Sequence, residues 1–180
     1  MNFKILFWKR RLCVYKLNYK DFIPAKERND IGVEIIKEET CDEVLKWRGK
    51  NTVKDFKNMI ENKEVGIYAK SAGKVEGYTW CTLGKNNTIP QNYFIINEDQ
   101  AMIHYGRICE EERGRGIGPY MLSELIKYVY GEYKIEEFFI YRDKENIASY
   151  KSLSKVGFKE YGEYNIYILL GRVINKVKLN

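Results

Sequence analysis

Apolar and polar residues alternate through residues 2–20, where Phe3, Ile5, Phe7, Leu12, Val14 and Leu17 stand among lysines and arginines. A period of two predicts one or two half-buried strands. Residues 21–32, with Pro24, read as a loop and 32–38 as a strand. Thr40-Cys41-Asp42-Glu43 has the Thr-x-x-Glu form of a capping box and predicts a short helix through Trp47. Thr52 offers a second cap, for a helix with Val53, Phe56, Met59 and Ile60 on one face. Residues 64–70 and 74–82 are β-rich and joined by Ser71-Ala72-Gly73, a hairpin composition. A loop over 83–92, a short strand at 93–97 and a longer one at 101–109 follow. The last predicted elements are a helix after Gly118, a strand at 135–142, a helix capped by Asn146 and stopped by Gly157, and strands at 158–161 and 164–173.

Chemistry concentrates in residues 108–129, where a β-like approach runs through a basic glycine turn into a helix. Gly114, Gly116 and Gly118 bring no Cβ between main chain and ligand, and the N–H groups of the helix's first turn have no intrahelical partners. With the helix dipole and the charges of Arg113 and Arg115, the turn suits an anion such as a pyrophosphate. Two other phosphate loops fail on spacing. A dinucleotide fingerprint counted from Gly114 needs a glycine or alanine where Pro119 stands, and no Gly-Lys-Ser/Thr ending marks a Walker loop.

Composition narrows the setting. The 180 residues, 44% hydrophobic and 31% charged, fit a single folded domain with no low-complexity tract. The net charge of +6 resides in the first 28 residues, where eight lysines and arginines face two acids; the remainder balances at 23 of each sign. Because those basic residues interleave with apolar ones, a sheet strand is expected there rather than a nucleic-acid tail. Cys13, Cys41, Cys81 and Cys109 form no Cys-x-x-Cys pair and have one histidine to assist them, so no metal site is expected. No run approaches the ~20 apolar residues of a membrane span, and the N-terminal charges do not suit a signal peptide, so a cytoplasmic location without membrane insertion is expected.

The pattern Arg113-x-x-Gly116-x-Gly118 resembles the acetyl-coenzyme A pyrophosphate loop of the GCN5-related N-acetyltransferase (GNAT) superfamily. Asn146-x-x-Ser149 followed by Lys155-Val156-Gly157-Phe158 resembles that superfamily's late helix and Gly-Phe exit, and the order of elements is similar over about residues 33 to 173. The resemblance implies an α/β fold with a mixed, largely antiparallel sheet of about seven strands flanked by about four helices. Residues 33–180 would form the acetyltransferase domain and residues 1–32 a basic, strand-forming extension.

The resemblance also implies acetyl-coenzyme A as co-substrate and acetyl transfer to a primary amine of a small molecule. The pyrophosphate would rest on Arg113, Gly114, Arg115, Gly116, Ile117 and Gly118, and the pantetheine arm along Ile108 and Cys109, with Asn146 and Ser149 also binding the cofactor. A main-chain N–H near Ile108 or Cys109 would face the acetyl oxygen. His104, four residues before Ile108 and on the same face of a regular strand, is the candidate base, with Glu76 and Glu98 as alternatives. The family's acid is a tyrosine seven residues after the asparagine; Leu153 stands there, and Tyr150, one helical turn earlier, is the substitute. Trp47, Arg48, Tyr78 and Trp80 fall in segments that line the acceptor cleft in similar proteins. The Gly77-Tyr78-Thr79-Trp80 strand resembles acetyltransferases that modify amino sugars, including nucleotide-linked ones. Leu153 leaves room for a non-catalytic acyl-coenzyme A-binding module; a peptide N-acetyltransferase and a homodimer also stay open.

Overall fold

The computed structural model describes residues 7–86 and 93–179. Phe3, Ile5 and most of the expected 83–92 loop lie outside them. Among these residues eight strands form one sheet: β1 (Phe7–Asn18), β2 (Gly32–Ile35), β3 (Val65–Ser71), β4 (Lys74–Leu83), β5 (Gln100–Ile108), β6 (Glu137–Asp143), β7 (Lys159–Leu169) and β8 (Arg172–Lys178), in the order β2-β3-β4-β5-β6-β1-β7-β8. Every neighbouring pair is antiparallel except β5 with β6. Helices α1 (Lys50–Glu61), α2 (Ile117–Tyr133) and α3 (Ile147–Lys155), with a 3₁₀ segment Glu38–Lys46, complete the expected mixed α/β architecture.

Among its described residues the basic segment forms one strand. β1 lies inside the sheet, paired with β6 along Leu12–Asn18 and with β7 along Phe7–Lys16. Its charges are taken up by neighbours: Arg10 grips Asp143 through two bonds of 3.0 and 2.7 Å, Arg11 pairs with Glu163, and Lys16 lies 2.6 Å from Glu137.

One face of the sheet packs Ile67, Ala69, Cys81, Ile103, Tyr15 and Phe138 against the apolar stripe of α2 and against Leu153 and Val156 of α3. The other face is covered in two parts. Tyr68, Tyr78 and Trp80 pack under Val53 and Phe56 of α1 and Cys41 and Val44 of the 3₁₀ segment, while Val14, Met102 and Phe139 form a separate cluster beside Phe94.

Several local expectations give way. The turn after β2 begins at Glu38 rather than behind Thr40, whose Oγ1 accepts the Lys37 N–H at 2.9 Å from inside the segment. Likewise Thr52 is buried within α1, whose cap is Gly49 and which has no side-chain bond to its first turn. Residues 93–97 form no strand, and β7 runs through Gly162 to Leu169 without the expected break. The Ala72-Gly73 turn holds as read, both residues having positive φ (47° and 75°), as do the Asn146 cap, which accepts the Ser149 N–H at 3.1 Å, and the Gly157 stop at φ 97°.

Gly66 of β3 lies opposite Trp80 of β4. A Cβ there would lie 2.7 Å from three ring carbons of Trp80, a fully buried side chain with no room to retreat. Gly66→Ala is expected to cost about 1–3 kcal/mol, the usual price of overpacking, read as a lower urea midpoint at unchanged slope; an unchanged midpoint would show that the Trp80 ring can yield.

Candidate functional site

The chain leaves β5 with the Cys109 N–H still bonded to Glu76 O at 2.8 Å, makes a 3₁₀ turn at Glu110–Glu112 and reaches two left-handed glycines, Gly114 (φ 83°) and Gly116 (φ 79°). Gly116 is the N-cap of α2 and no side chain caps that end. The first intrahelical donor is the Tyr120 N–H, to Gly116 O at 3.4 Å, and Pro119 has no N–H, so Ile117 and Gly118 supply the uncommitted donors of the helix's first turn. Nothing stands within 4 Å of a Cβ built on Gly114, and one on Gly116 first meets Arg28 Nη1 at 3.7 Å. Gly118 has a different role: its Cβ position is 3.1 Å from Ser152 Oγ, which sets the close approach of α2 to α3.

A segment not singled out in the sequence completes the turn. Residues 24–28 lie over the N-terminus of α2, and with Gly116, Pro119, Tyr120 and Lys155 they line an open cavity of about 370 Å³. Arg28 donates to Arg115 O at 2.5 Å and holds Asp30 at 3.0 and 2.6 Å. Arg115 pairs with Glu112, and Arg113 lies 3.2 Å from Glu110. Uncapped donors, a helix dipole and the nearby cations Lys26, Arg28 and Lys155 fit a pyrophosphate. Lys26 and Arg28, basic residues in a loop with Pro24, were the available signal.

Above this turn the sheet forks. β5 and β6 pair through only four positions, Gln100↔Glu137 to Ile103↔Ile140. Beyond them β5 stays with β4 to Ile108, and β6 stays with β1 to Asp143. The cause is a bulge: the register shifts between Tyr78 and Trp80, opposite Tyr105, which has φ 54°. Since the Cys109 N–H turns toward β4, strand alternation turns the N–H and C=O of Ile108 away from it, toward the fork.

The bulge also corrects an expectation. Ile108 packs on the α2 face with Ile103, whereas His104 lies on the opposite face, so the two do not share one. His104 is 6% exposed, and its Nε2 lies 2.7 Å from Glu64 Oε2 and 2.9 Å from Thr82 Oγ1. Thr82 in turn donates to Glu64 at 3.0 Å. With Nε2–H facing a carboxylate, the ring's other nitrogen, Nδ1, is buried without a partner. Glu64 went unnoticed in the sequence because only the pairing of β3, β4 and β5 brings it to His104.

Tyr150 lies across the sheet from His104. It is 43% exposed on α3, 6.2 Å from the Tyr15 ring and 5.3 Å from the Arg142 guanidinium, while Leu153 is buried in the core. Of the alternative bases, Glu76 is buried and Glu98 exposed. Cys109 is buried, and that burial, with Glu76 beside it, pushes its thiol up to about 11.

On the α1 side, Trp47 packs 5.4 Å from Tyr78, and the Arg48 guanidinium lies 5.8 Å over the Trp47 ring. Burial pushes the Tyr78 phenol up, and the Arg48 and Arg107 charges beside it pull it back; its hydroxyl is buried without a hydrogen-bond partner. Trp80 is fully buried against Phe56, at 5.0 Å between rings. The structure thus gathers Trp47, Arg48 and Tyr78 beside β5 and sets Trp80 beneath them in the core. Among the described residues, Cys13, Glu160 and Glu163 bring ligand atoms within 4.8 Å of one another, but Glu163 is already paired with Arg11 and Lys144.

Residues 22–159 match the sequence model of a family described as an acetyltransferase (GNAT) domain. No curated protein matches the chain. Among solved structures, it is similar to a GNAT-family acetyltransferase from Colwellia psychrerythraea at 17% identity, covering 97% of this chain and 57% of that one with a TM-score of 0.66. It is also similar to the glucosamine N-acetyltransferase region of a fungal multi-domain β-N-acetylglucosaminidase, at 14% identity, 89% of this chain, 21% of that chain and a TM-score of 0.66. An aminoglycoside acetyltransferase in complex with coenzyme A matches at 11% identity over 73% of this chain and 86% of its own, with a TM-score of 0.61. The chain spans 57% of the Colwellia protein and 52% of a similar Drosophila protein. Among the described residues no helix is long and apolar enough to cross a membrane.

Proposed function

The chain belongs to the GNAT acetyltransferase family, and on that premise we propose that it transfers the acetyl group of acetyl-coenzyme A directly to the primary amine of a small molecule. The observation that carries this reading is the fork beside an uncapped, left-handed glycine turn: open main-chain groups on one strand lead straight to a helix N-terminus. When bound, acetyl-coenzyme A supplies an activated acyl group as a thioester. The N–H groups of Ile117 and Gly118 hold its phosphates. The Ile108 N–H is the donor for negative charge developing on the acetyl oxygen, a role typically worth ~3–4 kcal/mol of barrier.

His104, held by Glu64 through Nε2, takes the amine proton at Nδ1. Tyr150, on the opposite face, is the group available to protonate the leaving thiolate. Cys109 is a poor nucleophile at neutral pH, since its raised thiol is protonated, which favours direct transfer over an acetyl-cysteine. Trp47, Arg48 and Tyr78 form the acceptor wall. The glucosamine-acetylating region among the similar structures supports an amino sugar or nucleotide-linked amino sugar as acceptor. Four free, buried cysteines suit the reducing cytoplasm.

The buried Leu153 at the family's tyrosine position favours a second reading, a module that binds acyl-coenzyme A without turnover. Thiol release against amino sugars, nucleotide amino sugars, polyamines and peptides separates the two. Turnover with a small amine is the expected result. A coenzyme A-induced rise in melting temperature without turnover on any amine would favour the binding module, and absence of both would sink the proposal.

A further inference from the structure

Among the described arginines that are partly buried, Arg10, Arg28 and Arg142 each hold an oxygen: Asp143, Asp30 and the Tyr15 hydroxyl. Arg48 is the exception. It is partly buried, no carboxylate among the described residues lies within salt-bridge distance, and its Nε is shielded from water without a partner. Two more polar atoms of the same cluster share that condition, Trp47 Nε1 and the Tyr78 hydroxyl, and the Tyr78 side chain is fully buried. A buried polar atom left unpaired is costly, so a fold that keeps three together implies an occupant that satisfies them.

The chemistry of that occupant follows from the donors. Tryptophan and arginine nitrogens donate and cannot accept, and a guanidinium drawn partly out of water calls for an anion. Asp55 on α1 also faces the cluster, but it is engaged by the Tyr105 hydroxyl at 2.6 Å. Arg107, the cross-strand partner of Tyr78, adds a second cation. The cluster also adjoins the fork, because Gly77, next to Tyr78, pairs with Ile108.

We propose that the acceptor amine carries an acidic group, a carboxylate or a phosphate, which docks on Arg48, Trp47 and Tyr78 while the amine faces the fork. The proposal rests on the acetyl-transfer reading above. It separates substrates of one amine class by charge: glucosamine 6-phosphate from glucosamine, and an α-amino acid from its amide.

The test compares those matched pairs by thiol release in the wild-type chain and in Arg48→Gln. The acidic member of at least one pair is expected to have kcat/KM about 10- to 100-fold above its neutral partner, the span of one charge-assisted contact. Arg48→Gln brings the ratio of the acidic to the neutral member close to one, and Arg48→Lys restores part of it. The pair that responds identifies phosphate or carboxylate. A second arm reads melting temperature at saturating coenzyme A with inorganic phosphate or the amino acid added. A rise in the wild type that Arg48→Gln abolishes is the expected outcome. Equal rates within both pairs, equal loss on both members in Arg48→Gln, or no rise with either anion overturns the proposal. If coenzyme A itself produces no rise, the acetyl-transfer reading fails instead, and the response to anions still decides whether Arg48 binds one.

Discussion

Replacing Gly116 by glutamate is expected to abolish stabilisation by coenzyme A. The residue sits at φ 79° on the uncapped end of α2, where a side chain is strained and a carboxylate would lie beside Arg28, in the place an incoming phosphate needs. Ligand at 100 times its dissociation constant stabilises a fold by about 2.7 kcal/mol, which for a chain of this size raises the melting point by roughly 5–10 °C. The wild type should show that rise and Gly116→Glu none. Gly131→Ala is the control: it lies on the same helix, where an added Cβ meets nothing within 4 Å, and it should keep the full rise. A normal rise in Gly116→Glu would remove the glycine turn from the binding site.

The second large effect concerns proton removal. His104→Gln is expected to lower kcat by about 10²–10⁴-fold, the range of general base catalysis, with coenzyme A affinity retained. Retention follows from geometry, because His104 lies on the face of the sheet opposite α2 and the glycine turn. Glu64→Gln should produce a smaller loss of kcat, since an amide can still hold the ring at Nε2 but offers an imidazolium no opposite charge. Circular dichroism and a urea midpoint separate these effects from unfolding. Wild-type turnover in His104→Gln would be incompatible with its role as base, whatever Glu64 does.

How much of this was readable in the chain depends on how local each feature is. The glycine turn, the Asn146 cap, the Gly157 stop and the Ala72-Gly73 hairpin are settled within a few residues by backbone conformations those residue types favour, and all four stand where the sequence puts them. The two threonine caps misled because a hydroxyl near a helix start competes with caps made by the backbone alone, as Gly49 makes for α1. The fork was beyond local reading. It depends on a bulge at Tyr105, and nothing in a strand of alternating pattern announces a tyrosine with positive φ. Glu64 and Arg28 show the same limit: each acquires its setting from segments 40 and 87 residues away.

The position of β1 has a kinetic consequence. Its partners lie far along the chain, Arg10 meeting Asp143 and Arg11 meeting Glu163 across separations of 133 and 152 residues. During synthesis the strand is among the first of the described elements to leave the ribosome, yet both of its neighbours follow only after β2, β3, β4 and β5. High contact order of this kind slows folding, since loop closure precedes the contacts that reward it. Until β6 and β7 arrive, Leu12, Val14 and Leu17 have no sheet to enter, and a nascent chain halted after α2 carries them as an unpaired, aggregation-prone strand.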